Sequence, residues 1–170
     1  MTEKKDNKYQ HLLYEKKNLW GEWDEDRREE AMRFNDDYAK ALDQGKTERE
    51  FHDMAVELLK AASFRDLQTM SEVRAGDKVY RSIHGKGIFA AIVGQKAPAD
   101  GFLLVGSHID SPRLDLKPNP LYEANEQVLF KTHYYGGIKK YQWVARPLAL
   151  HGVIILKDGQ KVQICIGEKD

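Results

Sequence analysis

The hydrophobic pattern of this 170-residue chain changes its period near Asp77. Before that point, apolar residues recur three and four positions apart, which is the spacing of one face of an α-helix. After it, they alternate or form short continuous runs, as β-strands do. Helices followed by a buried strand and then a β-rich end predict an α/β architecture that is cut off partway.

Two amphipathic helices are predicted before Asp77. Residues 24–44 place an apolar stripe at helical spacing, and Gly45 follows where a C-cap glycine belongs. Thr47 and Glu50 form the capping-box pattern that starts a second helix. The apolar positions are Ala31, Phe34, Tyr38, Ala41 and Leu42 in the first helix, and Phe51, Met54, Ala55, Leu58, Leu59 and Ala62 in the second.

Several strands are predicted after Asp77. Residues 78–83 and 88–93 flank a glycine-bearing turn and predict a hairpin. Residues 101–106, GFLLVG, form a continuous apolar run, which is typical of a strand covered on both faces. The prolines of residues 112–120 are expected to interrupt regular structure and to mark a domain boundary. Later strands are expected at 127–132, 148–156 and 161–166, the last two joined by a turn at Asp158 and Gly159.

Charge and cysteine content exclude some classes of protein. Lys and Arg number 27 and Asp and Glu number 27, so the formal net charge is zero and no global field attracts nucleic acid or an anionic membrane. The start, MTEKKDNKYQ, lacks the apolar core of a signal peptide, and no stretch is long enough to span a bilayer. Cys165 is expected to pack as a small hydrophobe. Because a single thiol forms no intrachain disulfide, we expect a cytoplasmic protein.

The segment 106–112, GSHIDSP, carries the candidate chemistry. His108 follows the predicted buried strand, and open α/β sheets bind ligands beyond the carboxyl ends of their strands. Residues two apart in extended chain point to the same side, so His108 and Asp110 can approach each other. One imidazole nitrogen can then bind zinc while the carboxylate accepts the hydrogen of the other. A histidine satisfied at a strand end is the alternative, and spacing alone does not choose between the two.

Other chemistries are less well supported by the sequence. Ser107, His108 and Asp110 do not form a serine-hydrolase relay, because sequence neighbours in extended chain point to opposite faces. The glycines in 84–87 and 135–139 lack the spacing of a phosphate-binding loop and are interpreted as turns. An aromatic and basic cluster is interpreted as an interface or folding surface rather than a nucleobase-stacking site; it comprises His133, Tyr134, Tyr135, Lys139, Lys140, Tyr141 and Trp143.

Two longer segments carry a resemblance to a known family. Residues 106–121, GSHIDSPRLDLKPNPL, and residues 130–152, FKTHYYGGIKKYQWVARPLALHG, closely resemble the M18 family of metalloaminopeptidases. Residues 18–20 and 46–51 also resemble members of this family, so the similarity covers nearly the whole chain. The resemblance implies an enzyme that removes single residues from peptide N-termini with a two-metal centre, usually of zinc and sometimes of cobalt or manganese.

The resemblance also implies roles for the two candidate residues. His108 matches the first metal ligand of the family, and Asp110 matches the acidic partner that orients this ligand. The family's other ligands and its general base come from sequence downstream of the matched segments. Because a zinc site needs at least three protein ligands, we expect these 170 residues alone to be inactive and to bind zinc weakly.

For the architecture, the resemblance implies two domains. Residues 1–118 are expected to be the N-terminal part of an α/β/α catalytic domain of a zinc aminopeptidase, and residues 119–170 the start of an inserted β-rich dimerisation domain. Peptide substrates and homo-oligomers, with dimers assembling to a dodecamer, are also implied. The alternative is a noncatalytic assembly or interaction module derived from an aminopeptidase N-terminal region, supported by the aromatic-rich segments near Trp20 and Trp143.

Overall fold

The structure is a computed structural model that describes residues 9–14 and 16–168. Most of the N-terminal segment interpreted above as lacking a signal-peptide core, residues 1–8, lies outside the described residues. The chain divides into two compact units, with the boundary between Ala39 and Lys40. No helix within the described ranges is long and apolar enough to cross a membrane.

Among the described residues, three α-helices lie in the first part of the chain: α1 at Leu19–Glu22, α2 at Glu25–Gln44 and α3 at Glu48–Ala61. The two predicted helices are therefore confirmed. The predicted capping box is also present, because Thr47 Oγ1 accepts from the Glu50 N–H at 3.3 Å and Glu50 Oε2 accepts from the Thr47 N–H at 3.0 Å. Gly45 lies between α2 and α3, where a Cβ would come within 2.9 Å of the Phe51 ring.

The strands in the described part of the chain form three small sheets. In the first, β1 (Arg65–Asp66) is parallel to β2 (Lys78–Ile83), which pairs antiparallel with β3 (Gly87–Ile92). The second sheet joins β4 (Arg113–Ala124) and β5 (Gln127–Tyr135), and the third joins β6 (Leu150–Ile155) and β7 (Lys161–Ile166). The predicted hairpins and the turn at Gly159 are confirmed, and the fold is of the α/β class. Short 3₁₀ turns lie at Gln10–Leu12, Leu67–Thr69, Pro98–Asp100 and Lys140–Gln142.

The prolines of residues 112–120 do not interrupt regular structure, so that prediction is wrong. β4 runs through Pro118 and Pro120, and its pairing with β5 shifts register between Leu116 and Leu121. Proline has no N–H to donate and is tolerated in a strand where the ladder is irregular or the edge is free. The domain boundary between residues 118 and 119 stays a prediction, and it falls within this register shift.

The prediction of a buried strand at residues 101–106 is also wrong. These residues form neither helix nor strand, and the side chains from Phe102 to Val105 are at least 73% exposed. An apolar run is held as a central strand only where neighbouring elements cover both of its faces. No strand in the described part of the chain pairs with this run. It therefore presents four large apolar side chains to solvent.

The buried part of the structure includes β2 and the face of α3 that contacts it. Val79 and Tyr80 are the buried hydrophobic residues among those described, and His52 of α3 is 6% exposed. His52 Nε2 lies 2.8 Å from Ser82 Oγ on β2, while its Nδ1 lies 2.9 Å from Asp53 Oδ1. Both ring nitrogens are satisfied, so this buried histidine joins α3 to the hairpin without an unpaired polar group.

Two sets of apolar side chains are less buried than expected. In α2, Phe34 is 74% exposed and Tyr38 is 52% exposed, so the predicted stripe is largely uncovered. Cys165 is exposed rather than packed. Alternation along β7 explains this, because the half-buried Val162 and Ile164 lie on the opposite face from Cys165.

His151 of β6 bridges two carboxylates. Its Nδ1 lies 2.9 Å from Glu50 Oε1 and its Nε2 lies 3.0 Å from Glu168 Oε1, with Cys165 Sγ at 4.0 Å from Nε2. Burial alone would lower the pKa of His151, but the hydrogen bonds with Glu50 and Glu168 outweigh it and raise the pKa. The protonated ring donates from both nitrogens and ties the first turn of α3 to the β6–β7 hairpin.

Removing the capping box should destabilise the chain. We expect Thr47→Ala to lower the free energy of unfolding by about 1 kcal/mol, because the N–H of Glu50 loses its acceptor. Urea unfolding followed by circular dichroism measures this loss. Ser71→Ala, at an exposed position outside the helices and strands, is the control and should change the free energy far less. Equal midpoints for Thr47→Ala and the parent chain would contradict the role of the cap.

The raised pKa of His151 should make stability depend on pH. The protonated ring adds to the free energy of unfolding. This added stability is fully present below the unfolded-state pKa of about 6.5, and it is lost as pH rises through the higher folded-state pKa. We therefore expect His151→Gln to lower the free energy of unfolding more at about pH 6 than at about pH 9. Guanidinium unfolding at both pH values measures the difference.

The control for this experiment is His133→Gln. His133 is exposed, and its ring contacts the Tyr134 carbonyl rather than a pair of carboxylates. Its substitution should give no comparable pH-dependent difference. If the loss in free energy of unfolding caused by His151→Gln grew with rising pH, the proposed bridge would be refuted.

Candidate functional site

The candidate residues lie on the irregular segment between β3 and β4. His108 and Asp110 follow the exposed apolar run, and β4 begins three residues after Asp110. The His108 side chain is 80% exposed, whereas the Asp110 side chain is 31% exposed. Asp110 is therefore partly enclosed and His108 extends into solvent.

His108 and Asp110 contact each other, as their spacing predicts. His108 Nδ1 lies 2.8 Å from the main-chain oxygen of Asp110 and 3.3 Å from its carboxylate Oδ1. Both of these atoms are acceptors, so Nδ1 must carry the hydrogen. In the neutral ring Nε2 then keeps its lone pair, which is the state that binds a metal. The roles of His108 as ligand and of Asp110 as its support stay predictions.

Hydrogen bonds lower the pKa of the Asp110 carboxyl. The Tyr135 hydroxyl makes the largest contribution to lowering the pKa of Asp110, followed by the residue's own main-chain N–H. Together they outweigh the effect of burial. The same hydrogen bond raises the pKa of Tyr135, because a neutral hydroxyl is the donor. Asp110 is thus an acceptor at neutral pH, as a partner of the His108 N–H must be.

Arg113 lies next to Tyr135 and is itself paired with two carboxylates. Its guanidinium carbon is 4.2 Å from the centroid of the Tyr135 ring, a cation–π arrangement. Arg113 Nε lies 2.7 Å from Asp115 Oδ1, and Nη1 lies 3.4 Å from Glu48 Oε2. Burial alone would lower the pKa of Arg113, but these two carboxylates raise it. The cluster links the start of α3 to the candidate site.

Sequence reasoning missed the part played by Tyr135 and Arg113. Tyr135 was assigned to an aromatic surface cluster, and Arg113 received no role. The two residues are directly opposite each other in the β4–β5 ladder, 22 positions apart in the chain. The pairing register that brings them together depends on the turn between β4 and β5 and on the register shift in β4. No local sequence motif predicts this register.

Neither of the glycine-bearing segments forms a phosphate cradle. Residues 84–87 include the turn between β2 and β3, with positive φ at His84 and Gly85. Residues 135–139 follow the end of β5, with a positive φ at Gly136 that places this residue beside Pro112. The first is a turn, as interpreted from the sequence, whereas the second is a bend after β5.

A cavity of about 750 Å³ lies beside the candidate segment but does not include the predicted pair. Its walls include Ser111, Arg113 and His151, whereas His108 and Asp110 do not line it. This volume is in the range of ligand pockets.

The candidate site is not a complete metal centre. Across residues 9–14 and 16–168, no group of three or more His, Cys, Asp or Glu side chains could hold a metal ion. Zinc in proteins takes three or four protein ligands. His108 can supply one of them, so any metal centre here needs further ligands from outside the described residues.

Known proteins are similar to this chain along nearly its entire length. A family model described as Aminopeptidase I zinc metalloprotease (M18) matches residues 41–169. The Probable M18 family aminopeptidase 1 of Clostridium acetobutylicum is 43% identical over 163 residues, which cover 94% of this chain and 35% of that protein. The chain thus spans about a third of the length of the curated relatives it matches.

Solved structures agree with the sequence comparisons. The crystal structure of aminopeptidase I from Borrelia burgdorferi B31 has a TM-score of 0.84 at 40% identity and covers 91% of this chain and 39% of that one. An M18 family aminopeptidase from Thermotoga maritima gives a TM-score of 0.81 at 40% identity, covering 92% of this chain and 34% of that one. By sequence and by fold, the chain belongs to the M18 family of aminopeptidase I zinc metalloproteases.

Proposed function

We propose that this chain is the N-terminal part of a metal-dependent aminopeptidase that removes the first residue from peptides. The observation that carries the proposal is the contact of His108 Nδ1 with Asp110, in a chain of the M18 family. This contact leaves His108 Nε2 as a neutral nitrogen donor on an exposed side chain. The contact supports the assignment of His108 as a metal ligand and of Asp110 as the residue that orients it.

The donor chemistry suits zinc, with cobalt or manganese as possible substitutes. Imidazole nitrogen is a common zinc ligand, and a carboxylate or carbonyl oxygen on the second ring nitrogen raises the basicity of the ligand. When bound, such a metal lowers the pKa of a bound water and polarises a carbonyl. Within this chain, the main-chain oxygen and the carboxylate of Asp110 accept the Nδ1 hydrogen, and the Tyr135 hydroxyl lowers the pKa of the carboxyl.

The remaining features of the proposal rest on the family. We propose peptide substrates and a homo-oligomer of dimers that assemble to a dodecamer, with residues 119–170 as the start of the dimerisation domain and residues 1–118 as part of the catalytic domain. A cytoplasmic location is proposed because the chain has a single cysteine, Cys165, which is free.

Activity should require His108 and residues beyond those described. We expect the whole protein, expressed from its native gene with zinc, to cleave an aminoacyl chromogenic substrate, and His108→Ala to reduce kcat/KM by more than about 100-fold. Residues 1–170 by themselves should show no turnover, because one histidine cannot hold the metal. Turnover and bound zinc are measured on the same samples.

The matched control is His133→Ala. His133 is also an exposed histidine whose Nδ1 contacts a main-chain oxygen, at 3.1 Å, but it lies on β5. Its removal should leave kcat/KM within about twofold of the parent. A whole protein that folds, binds no zinc and cleaves no substrate would refute the proposal and favour a noncatalytic assembly module.

The supporting role of Asp110 makes a separate prediction. Asp110→Asn removes the carboxylate charge while keeping the size of the side chain and the main-chain oxygen. We expect zinc affinity or kcat/KM of the whole protein to fall by about 10- to 100-fold, because the ligand loses basicity and orientation. Zinc titration and steady-state kinetics measure the two quantities. Unchanged values for both would remove Asp110 from the site.

A further inference from the structure

The cavity of about 750 Å³ beside the start of β4 is a candidate ligand site. All of its lining residues belong to the second compact unit, which begins at Lys40. Much of the wall is apolar and includes Leu42, Leu116, Trp143, Pro147, Leu148 and Leu150. A ligand with an apolar group is therefore stabilised here by the removal of that group from water.

Arg146 lines this cavity as an uncompensated cation. Its guanidinium has no ion-pair partner within the described part of the chain. The other lysine and arginine of the wall are paired, Lys46 with Asp43 at 3.2 Å and Arg113 with Asp115 at 2.7 Å. A planar guanidinium matches the two oxygens of a carboxylate and binds them through parallel hydrogen bonds.

The bridge made by His151 leaves one negative charge uncompensated. Glu50 and Glu168 lie 2.9 Å and 3.0 Å from the two ring nitrogens, so two carboxylates share a single positive charge when the ring is protonated. Of these carboxylates, Glu168 lines the cavity. An ionised carboxylate accepts on both oxygens, and Glu168 contacts the ring through Oε1, so Oε2 can accept from a ligand ammonium.

Arg146 and Glu168 reach the cavity from neighbouring stretches of chain. The chain after β7 stays close to the chain before β6, because a Cβ on Gly167 would lie 3.3 Å from the Leu148 carbonyl oxygen. Glu168 follows Gly167 directly, and Arg146 is two residues before Leu148. Arg146 and Glu168 do not pair with each other. A cation and a carboxylate therefore line the same part of the cavity, and both can bind a ligand.

We propose that this cavity binds an apolar amino acid in its zwitterionic form. Arg146 binds the α-carboxylate, Glu168 binds the α-ammonium, and the apolar wall covers the side chain. A simple anion such as phosphate is disfavoured, because the carboxylates of Asp115 and Glu168 line the same cavity. The inference stands on the cavity and does not rest on the proposed function.

The test is a titration of the 170-residue chain labelled with ¹⁵N-tryptophan. The chain has three tryptophans and so gives three indole N–H signals, and Trp143→Phe identifies the signal from the cavity. Trp20 and Trp23 lie in the first compact unit and report nonspecific binding. The titration is run at about pH 6, where α-carboxyl groups are ionised and α-amino groups are protonated.

Leucine and two derivatives separate the two charges of the ligand. Leucinamide lacks the carboxylate, and N-acetyl-leucine lacks the ammonium. We expect leucine to shift the Trp143 signal saturably and each derivative to bind about fivefold more weakly, the effect of one partly exposed ion pair. The Trp20 and Trp23 signals should not move.

Two variants assign the charges to residues. Arg146→Gln should weaken leucine binding about fivefold and abolish the preference for leucine over leucinamide. Glu168→Gln keeps an acceptor for His151 but should abolish the preference for leucine over N-acetyl-leucine. Arg27→Gln is the matched control and should leave every affinity unchanged, because Arg27 is also exposed but does not line the cavity. A cooperative urea transition shows that each variant is folded.

A Trp143 signal that does not move with leucine would overturn the proposal. Equal affinities for leucine and leucinamide in the parent chain would also overturn it, as would a preference for leucine over leucinamide that survives Arg146→Gln. Retained discrimination against N-acetyl-leucine in Glu168→Gln would remove Glu168 from the site. These results do not depend on aminopeptidase activity, which the 170-residue chain by itself is not expected to show.

Discussion

The carboxylate of Glu50 joins the start of a helix to a distant hairpin. One of its oxygens closes the capping box of α3 with the main-chain N–H and hydroxyl of Thr47, and the other receives His151 from β6. A capped helix has a fixed first turn, and that turn also carries Glu48, the partner of Arg113. Ion pairs therefore join both the second sheet, through Arg113, and the third sheet, through His151, to the same turn of α3. Because both attachments are only partly exposed, they are screened less by salt than surface pairs are.

These ion pairs are important for the stability of the fold, because few apolar side chains are buried. Val79 and Tyr80 are the buried hydrophobic residues in the described part of the chain, while the run from Phe102 to Val105 and much of the α2 stripe face solvent. Contiguous exposed apolar patches larger than a few hundred Å² are rare on monomeric soluble proteins and mark interaction surfaces. The M18 relative from Clostridium acetobutylicum is about three times as long as the region it shares with this chain.

Side chains from three elements meet beside the segment that carries the candidate metal ligand. Glu48 of α3 and Asp115 of β4 hold Arg113, and Arg113 stacks on Tyr135 of β5, whose hydroxyl lowers the pKa of Asp110. The two carboxylates raise the pKa of the Arg113 guanidinium and so favour its charged form. An ionised Asp110 accepts the hydrogen of His108, which is the arrangement that leaves a neutral nitrogen for zinc.

The sequence by itself determined the local elements. Helical spacing and the Thr47–Glu50 pattern define α2 and α3, and alternation with turn residues defines the hairpins. A spacing of two residues brings His108 to Asp110. Each of these features depends only on neighbours along the chain. Only the tertiary structure decided that residues 101–106 are exposed, that β4 continues through its prolines, and that Arg113 and His151 meet carboxylates from distant segments. Burial and strand register depend on which surfaces of the folded chain come together. Neither the hydrophobic period of a segment nor a local motif says which other segment it will pack against.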